Sequence, residues 1–255
     1  MKIDSILILA AGFGSRLKPY TDMMPKSLLP LGTSNILRNL IEQSSQYFAE
    51  SKIYVNASYL AEKVIDEIVK IPLQTRPYII WEQKPLGPAV TVTNLCNEKL
   101  ENILVIHGDN VFTDQTFFDF SISVKSKAQE VSILLCHQKP KRAARSIVDE
   151  KDGIVQTILE FESNFDNSKV MGKSSDFVLS NSGALVVRKS SLIDFVPEKN
   201  SSISPNLINY IARQSKLHIE KCSHYRISVD NENAYLAAVN LYNESTKLFD
   251  RTVQH

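Results

Sequence analysis

The chain has 255 residues, 43% of them hydrophobic and 22% charged, with a formal net charge of +1 at pH 7. That is enough apolar material for one large core and too little net charge for a global field that gathers nucleic acid or an acidic membrane surface. Cys96, Cys136 and Cys222 are odd in number and lack metal-ligand spacing, which predicts reduced thiols and a cytoplasmic chain.

The first segment, Ser5 to Ala11, belongs to a start, Met1 to Ser15, that puts Lys2 ahead of apolar residues in the manner of a secretory leader. Asp4 interrupts it and its apolar stretch is too short, so a buried strand is predicted. No stretch approaches the length of a membrane span. A loop then runs from Leu9 to Gly32, "LAAGFGSRLKPYTDMMPKSLLPLG". Gly12 and Gly14 let backbone N–H groups approach an anion. Arg16 adds a fork of donors and Lys26 a mobile point charge. No Gly-Lys-Ser/Thr closes the loop as in a P-loop, and Leu17 stands where the dinucleotide fingerprint needs a third glycine. On the glycines alone, a plain structural turn is an equal reading.

Next come a helix over Asn35 to Phe48, with Ile36, Leu37, Leu40 and Ile41 on one face, and a strand over Lys52 to Ser58. A helix over Ala61 to Val69 and strands over Tyr78 to Gln83 and Asn102 to Asn110 follow. This alternation predicts an α/β fold with a mostly parallel sheet, in which ligands bind where strands lead into loops. From Glu130 the pattern changes. A strand over Glu130 to Gln138 precedes two short strands, within Ser146 to Glu162, around the Asp152-Gly153 turn. A polar loop from Asn164 to Phe177, a strand from Ser182 to Lys189 and a helix from Asn231 to Leu248 complete the chain. Without repeats or linkers, residues 1–255 read as one domain. Trp81 and the Phe117-Phe118 pair are expected in the core, and His107 in the core or behind a site. His137, His218, His224 and His255 lack metal-ligand spacing.

The ordered string Gly12-x-Gly14-x-Arg16, Pro19-x-Thr21, Pro25-Lys26 and an apolar run to Gly32 resembles the signature of sugar-phosphate nucleotidylyltransferases, the family of glucose-1-phosphate thymidylyltransferase and mannose-1-phosphate guanylyltransferase. The resemblance continues downstream. Glu82 and Gly87, in "EQKPLGPAV", resemble a segment beside the nucleotide base. Gly108 and Asp109 resemble an element whose Asp binds Mg²⁺. Glu160 resembles the end of a sugar-side hairpin, Asn181 and Gly183 an Asn-x-Gly that meets the sugar, and Asp230 the second metal carboxylate.

The resemblance implies a Rossmann-like (GT-A-like) mixed sheet flanked by helices, with a small β-hairpin subregion on the sugar side. Residues 1–130 would mainly bind nucleotide; residues 131–255 would mainly bind the acceptor. It further implies that an NTP and a sugar 1-phosphate are joined with Mg²⁺, releasing pyrophosphate. Ala11, Gly12 and Gly14 would line the nucleotide, Arg16 would steady the pyrophosphate, and Lys26 would steady the α-phosphate. The acceptor is itself an anionic nucleophile, so positioning and charge stabilisation suffice.

Two positions depart from the family pattern. Phe161 follows Glu160 where many members have Lys, and Arg145-Ser146 stands where many have Tyr-Gly. Arg145 is therefore expected to supply the missing cation, although Lys139, Lys141, Arg142 and Arg145 also read as a solvated basic loop. Three alternatives remain at this level. One is a CTP-dependent enzyme acting on phosphocholine or a similar phosphate. Another is a nucleotide-binding regulator without catalysis. A glycosyltransferase ranks lower because "GDN" is not an Asp-x-Asp motif. Individually, Asp109 and Asp230 also read as helix caps, and Glu82, Glu160 and Asn181 as ordinary loop or hairpin residues.

Overall fold

The computed structural model describes residues 2–97, 100–126, 131–141, 144–161, 176–214, 216–222 and 226–252, without side chains from 244 onward. The first half contains β1 (Ser5–Leu9), β2 (Pro30–Leu31), β3 (Ser34–Asn35), α1 (Ile36–Tyr47), β4 (Lys52–Ala57) and α2 (Ala61–Val69). It continues through β5 (Tyr78–Trp81), α3 (Pro88–Asn97), β6 (Asn102–His107), β7 (Asn110–Phe112) and α4 (Asp114–Ser126). The second half holds β8 (Ser132–Pro140), β9 (Ser146–Lys151), β10 (Ile154–Glu160), β11 (Phe177–Arg188) and α5 (Asn209–Arg213). It closes with β12 (Leu217–Cys222), β13 (Arg226–Ser228) and α6 (Glu232–Thr252).

Nine strands form one sheet in the order β5-β4-β1-β6-β11-β8-β12-β10-β9. Only β11 and β10 run against the other seven, so the sheet is mixed and mostly parallel, as expected. Strand alternation sends side chains to opposite faces. Ile6, Ile8, Leu104, Ile106, Ile133 and Leu135 join the core that α1 and α4 cover. Leu7, Ile103, Val105, Leu134 and Cys136 join a second core with α3 and α5. The parallel β1–β6 pair, in register Leu9 to His107, brings the loops after both strands to the same edge of the sheet.

Several expectations shift against the structure. The segment from Asn102 to Asn110 is two strands. Gly108 N–H donates to Leu9 O at 2.9 Å, after which Asn110–Phe112 turns away to pair with β13. Trp81 is 67% exposed, because it ends an edge strand with no neighbour beyond it. Phe117 is buried, but Phe118 is 43% exposed: one step round α4 carries it outward. Residues 164–175 of the expected polar loop, Arg142, His224 and His255 lie outside the described residues. Cys96, Cys136 and Cys222 are unbridged, and burial pushes the Cys96 and Cys136 thiols up to about 12. No helix among the described residues is long and apolar enough to cross a membrane.

Candidate active site

The loop after β1 is held by its own residues. Gly14 has φ +62, and a Cβ there would stand 2.9 Å from Thr21 Cγ2 and 3.1 Å from Lys26 Cβ. Only glycine fits this left-handed, crowded turn. Thr21 Oγ1 donates to Gly14 O at 2.8 Å, and Tyr59 Oη donates to Thr21 O at 2.8 Å. This latch brings Lys26 back under the end of the sheet.

There Lys26 meets two carboxylates from distant parts of the chain. Its Nζ lies 2.5 Å from Asp109 Oδ2 and 3.2 Å from Asp230 Oδ1. The β7–β13 ladder and a Val229 N–H bond to Asp109 O, at 2.9 Å, bring Asp230 opposite Asp109. Asp230 also faces Arg16 at 3.6 Å and Arg145 at 3.7 Å, and it accepts from Ser228 Oγ at 3.0 Å. Burial alone would push the Asp109 carboxyl up, but Lys26, His107 and Arg226 outweigh it and hold it below the usual carboxylate range. Burial pushes the His107 pKa down, against the pull of Asp109.

Two cavities adjoin at this cluster, sharing Arg16, His107, Asp109, Glu160 and Asp230 in their walls. One, of about 440 Å³, is lined by Ala11, Gly12, Gly14, Lys26, Glu82, Gly87 and Gly108 among others. The other, of about 1070 Å³, is lined by Arg145, Asn181 and Gly183, together with Lys139 and Arg226. Every candidate catalytic, substrate-binding or metal residue named from the sequence therefore lies on one wall or the other. Helix capping is not the role of the Asp230 side chain, because the N–H of Ala234 bonds instead to Asn231 Oδ1, at 2.9 Å.

Some of these residues shape the walls from within. Glu82 is buried and accepts from Asn56 Nδ2 at 2.9 Å, Thr91 Oγ1 at 2.6 Å and Leu86 N–H at 3.0 Å. Asn56 Oδ1 in turn accepts from Ala10 N–H at 2.7 Å, which ties the Glu82 segment to the end of β1. Asn181 Oδ1 accepts from Gly183 N–H at 2.7 Å across an irregularity in β11. Arg226, which the sequence reading did not single out, donates from Nε to Ser182 O at 2.6 Å and from Nη2 to Asn181 O at 3.2 Å. Strand alternation holds its signal: Arg226, Ser228 and Asp230 occupy every second position. His137 donates to or accepts from Ser182 Oγ at 2.9 Å, and burial together with Arg226 and Lys139 pushes its pKa down to about 3.

The donor set suits one small, hard cation. Asp109 Oδ1 is buried without a hydrogen-bond partner among the described residues. Those residues contain no cluster of three or more His, Cys, Asp or Glu side chains for a metal. Two carboxylates that already share a cation, with the remaining places open to water and phosphate, are the ligands Mg²⁺ accepts.

Comparison with known proteins decides the family. The Nucleotidyl transferase family profile matches residues 5–173, well over half of the chain.

The chain belongs to the nucleotidyl transferase family.

Relatives of this family member include the bifunctional protein GlmU of Methanococcus maripaludis strain C7, 33% identical over 108 residues, or 42% of this chain and 25% of that protein. Mannose-1-phosphate guanyltransferase beta-A of Xenopus laevis is 22% identical over 247 residues, 94% of this chain and 65% of that protein. Both proteins are therefore considerably longer than the stretch matched. Among solved structures, HddC from Yersinia pseudotuberculosis shares the fold with a TM-score of 0.74 at 20% identity, covering 94% of this chain and 100% of that one. HddC has also been solved with GMP-PN.

Proposed function

We propose that this chain joins an NTP to a sugar 1-phosphate, giving an NDP-sugar and pyrophosphate. The observation that carries the reading is the meeting of two cavities at one cationic and carboxylate cluster. A reaction between two anions needs two adjoining compartments with the charge neutralised at their junction.

The smaller cavity takes the nucleotide, its base against the Glu82–Gly87 wall and its phosphates along the Gly12–Gly14 backbone. The acceptor enters the larger one, with its hydroxyls toward Glu160 and the Asn181–Gly183 turn. Its phosphate oxygen attacks the α-phosphorus in line, the bond from that phosphorus to the β-phosphate bridging oxygen breaks, and the electron pair leaves with pyrophosphate. Lys26 steadies charge on the α-phosphate, and Arg16 steadies it on the leaving group. Arg145, beside Asp230, takes the place of the lysine absent at Phe161. Asp109 and Asp230 would hold Mg²⁺, which when bound neutralises and orients phosphate oxygens. A quaternary ammonium acceptor such as phosphocholine fits less well, since Lys139, Arg145 and Arg226 line its path.

The test is a matrix of the four NTPs against a panel of sugar 1-phosphates, read as pyrophosphate release with Mg²⁺. Turnover should be confined to a few combinations. Nucleotide binding without pyrophosphate release from any pair would favour a regulator instead.

A further inference from the structure

Among the described residues, two cations that line the larger cavity make no ion pair: Lys139 feels Asp230, and Arg226 feels Asp109 and Asp230, only at longer range. Asp230 meets Arg16, Lys26 and Arg145, and Asp109 meets Lys26. Arg226 binds only backbone carbonyls, those of Ser182 and Asn181, with no carboxylate at ion-pair distance among the described residues. The Lys139 ammonium makes no hydrogen bond or ion pair with any described residue. Both side chains are half-buried, and Arg226 raises the cost of the Lys139 charge. A half-buried charge with no carboxylate in contact among the described residues is unfavourable, so two like charges on one cavity wall suit an anion brought from outside.

The attacking phosphate does not meet that need. It must lie at the junction of the cavities, where Arg16, Lys26 and Arg145 gather on Asp230. Lys139 and Arg226, like Arg145, line the larger cavity and not the smaller, but unlike Arg145 neither is at ion-pair distance from Asp230, and that cavity has room beyond a phosphate.

The geometry points to a second anion subsite, formed by Lys139 and Arg226, and hence to an acceptor phosphate ester that carries a further acidic group, a carboxylate or a second phosphate. This inference rests on the nucleotidyl-transfer reading. Lys139 sets specificity here, while Arg226 also holds β11 and is left intact in the test.

The experiment measures pyrophosphate release by the full chain with Mg²⁺ and all four NTPs supplied. The acceptors are the 1-phosphates of glucose, galactose and mannose, each in three forms: with the 6-hydroxyl, with a 6-carboxylate and with a 6-phosphate. An acid-bearing form should exceed its 6-hydroxyl counterpart by about tenfold or more in kcat/KM, the scale of one charged hydrogen bond. The 6-carboxylate and 6-phosphate arms identify which acid is read. Lys139→Met should abolish the preference, chiefly through acceptor KM, and Lys139→Arg should retain it. Equal or better use of the 6-hydroxyl forms by the wild type, or a preference that survives in Lys139→Met, overturns the subsite. Absence of pyrophosphate from every acceptor overturns the nucleotidyl-transfer reading beneath it.

Discussion

Lys26 sits where two carboxylates need a cation. Its ammonium, 2.5 Å from Asp109 and 3.2 Å from Asp230, neutralises the same pair that would hold Mg²⁺. An ammonium and a divalent ion would then compete for one patch of negative charge, and a bound metal would leave Lys26 available to phosphate. Lys26→Met removes the competitor and keeps most of the apolar stem. Mn²⁺ should therefore bind the substrate-free variant about tenfold more tightly, on the scale of one lost charged contact, as measured by electron paramagnetic resonance. Pyrophosphate release should fall at the same time. Weaker Mn²⁺ binding in the variant would mean that Lys26 organises the carboxylates and does not compete. Lys26 was legible in the sequence because it belongs to a motif with fixed spacing. Arg226 shares the alternation of Ser228 and Asp230, but its place in the site depends on β13 pairing with β7, which that alternation alone does not fix.

At the scale of elements, legibility followed how local the deciding interaction was. The Asp152-Gly153 turn needs positive φ at both residues and shows it, at 55° and 80°. The α2 helix runs from Ala61 to Val69 as its apolar spacing predicts. By contrast, α4 mixes buried Phe117 and Phe120 with exposed Phe118 and Ile122, so its inward face is blurred in the sequence. β12 alternates Leu217 and Ile219 with His218 and Glu220 but then places Lys221 where the next apolar residue would fall, and only its place beside β8 makes it a sheet strand. One clamp between elements also makes a pH prediction. Glu67 on α2 accepts from Arg38 Nε at 2.8 Å and from Asn35 Nδ2 at 2.9 Å, joining it to the start of α1. Burial opposes the charged form, yet the bonds from Arg38 and Asn35 prevail and hold the carboxyl below its ordinary value of 4.5. A depressed folded pKa contributes stability above that ordinary value and loses it as pH falls through the folded value. Glu67→Gln should thus lower stability by about 1 kcal/mol near neutral pH. The gap in melting temperature from the wild type should close as pH falls below the ordinary carboxylate value. A gap that stayed constant through the acid range would assign Glu67 a packing role alone.

For the whole molecule, the chain builds two compartments on one sheet edge and joins them late. The first half supplies the Gly12–Gly14 loop, Lys26, Glu82 and Asp109; the second supplies Arg145, Glu160 and Asn181, and Asp230 returns from near the end to close the junction. Motif order made both compartments legible, but their junction depends on long-range pairing. If the compartments are energetically separate except at the junction, changes deep in each should act on different substrates. Glu82→Gln places an amide against donors that now point at a carboxylate, loosening the Leu86–Gly87 wall, so KM for the NTP should rise. Arg145→Ala should raise KM for the acceptor about tenfold, from loss of one charged contact. Neither change should move the other KM by more than about twofold, the tolerance expected for sites without shared partners. Their effects on ln(kcat/KM) should then add in the double variant. Asp230→Asn should break this pattern by lowering kcat for every substrate pair, because Asp230 faces both cavities and three cations. Strong non-additivity between Glu82→Gln and Arg145→Ala, in steady-state kinetics with both substrates varied, would show that the two walls move as one.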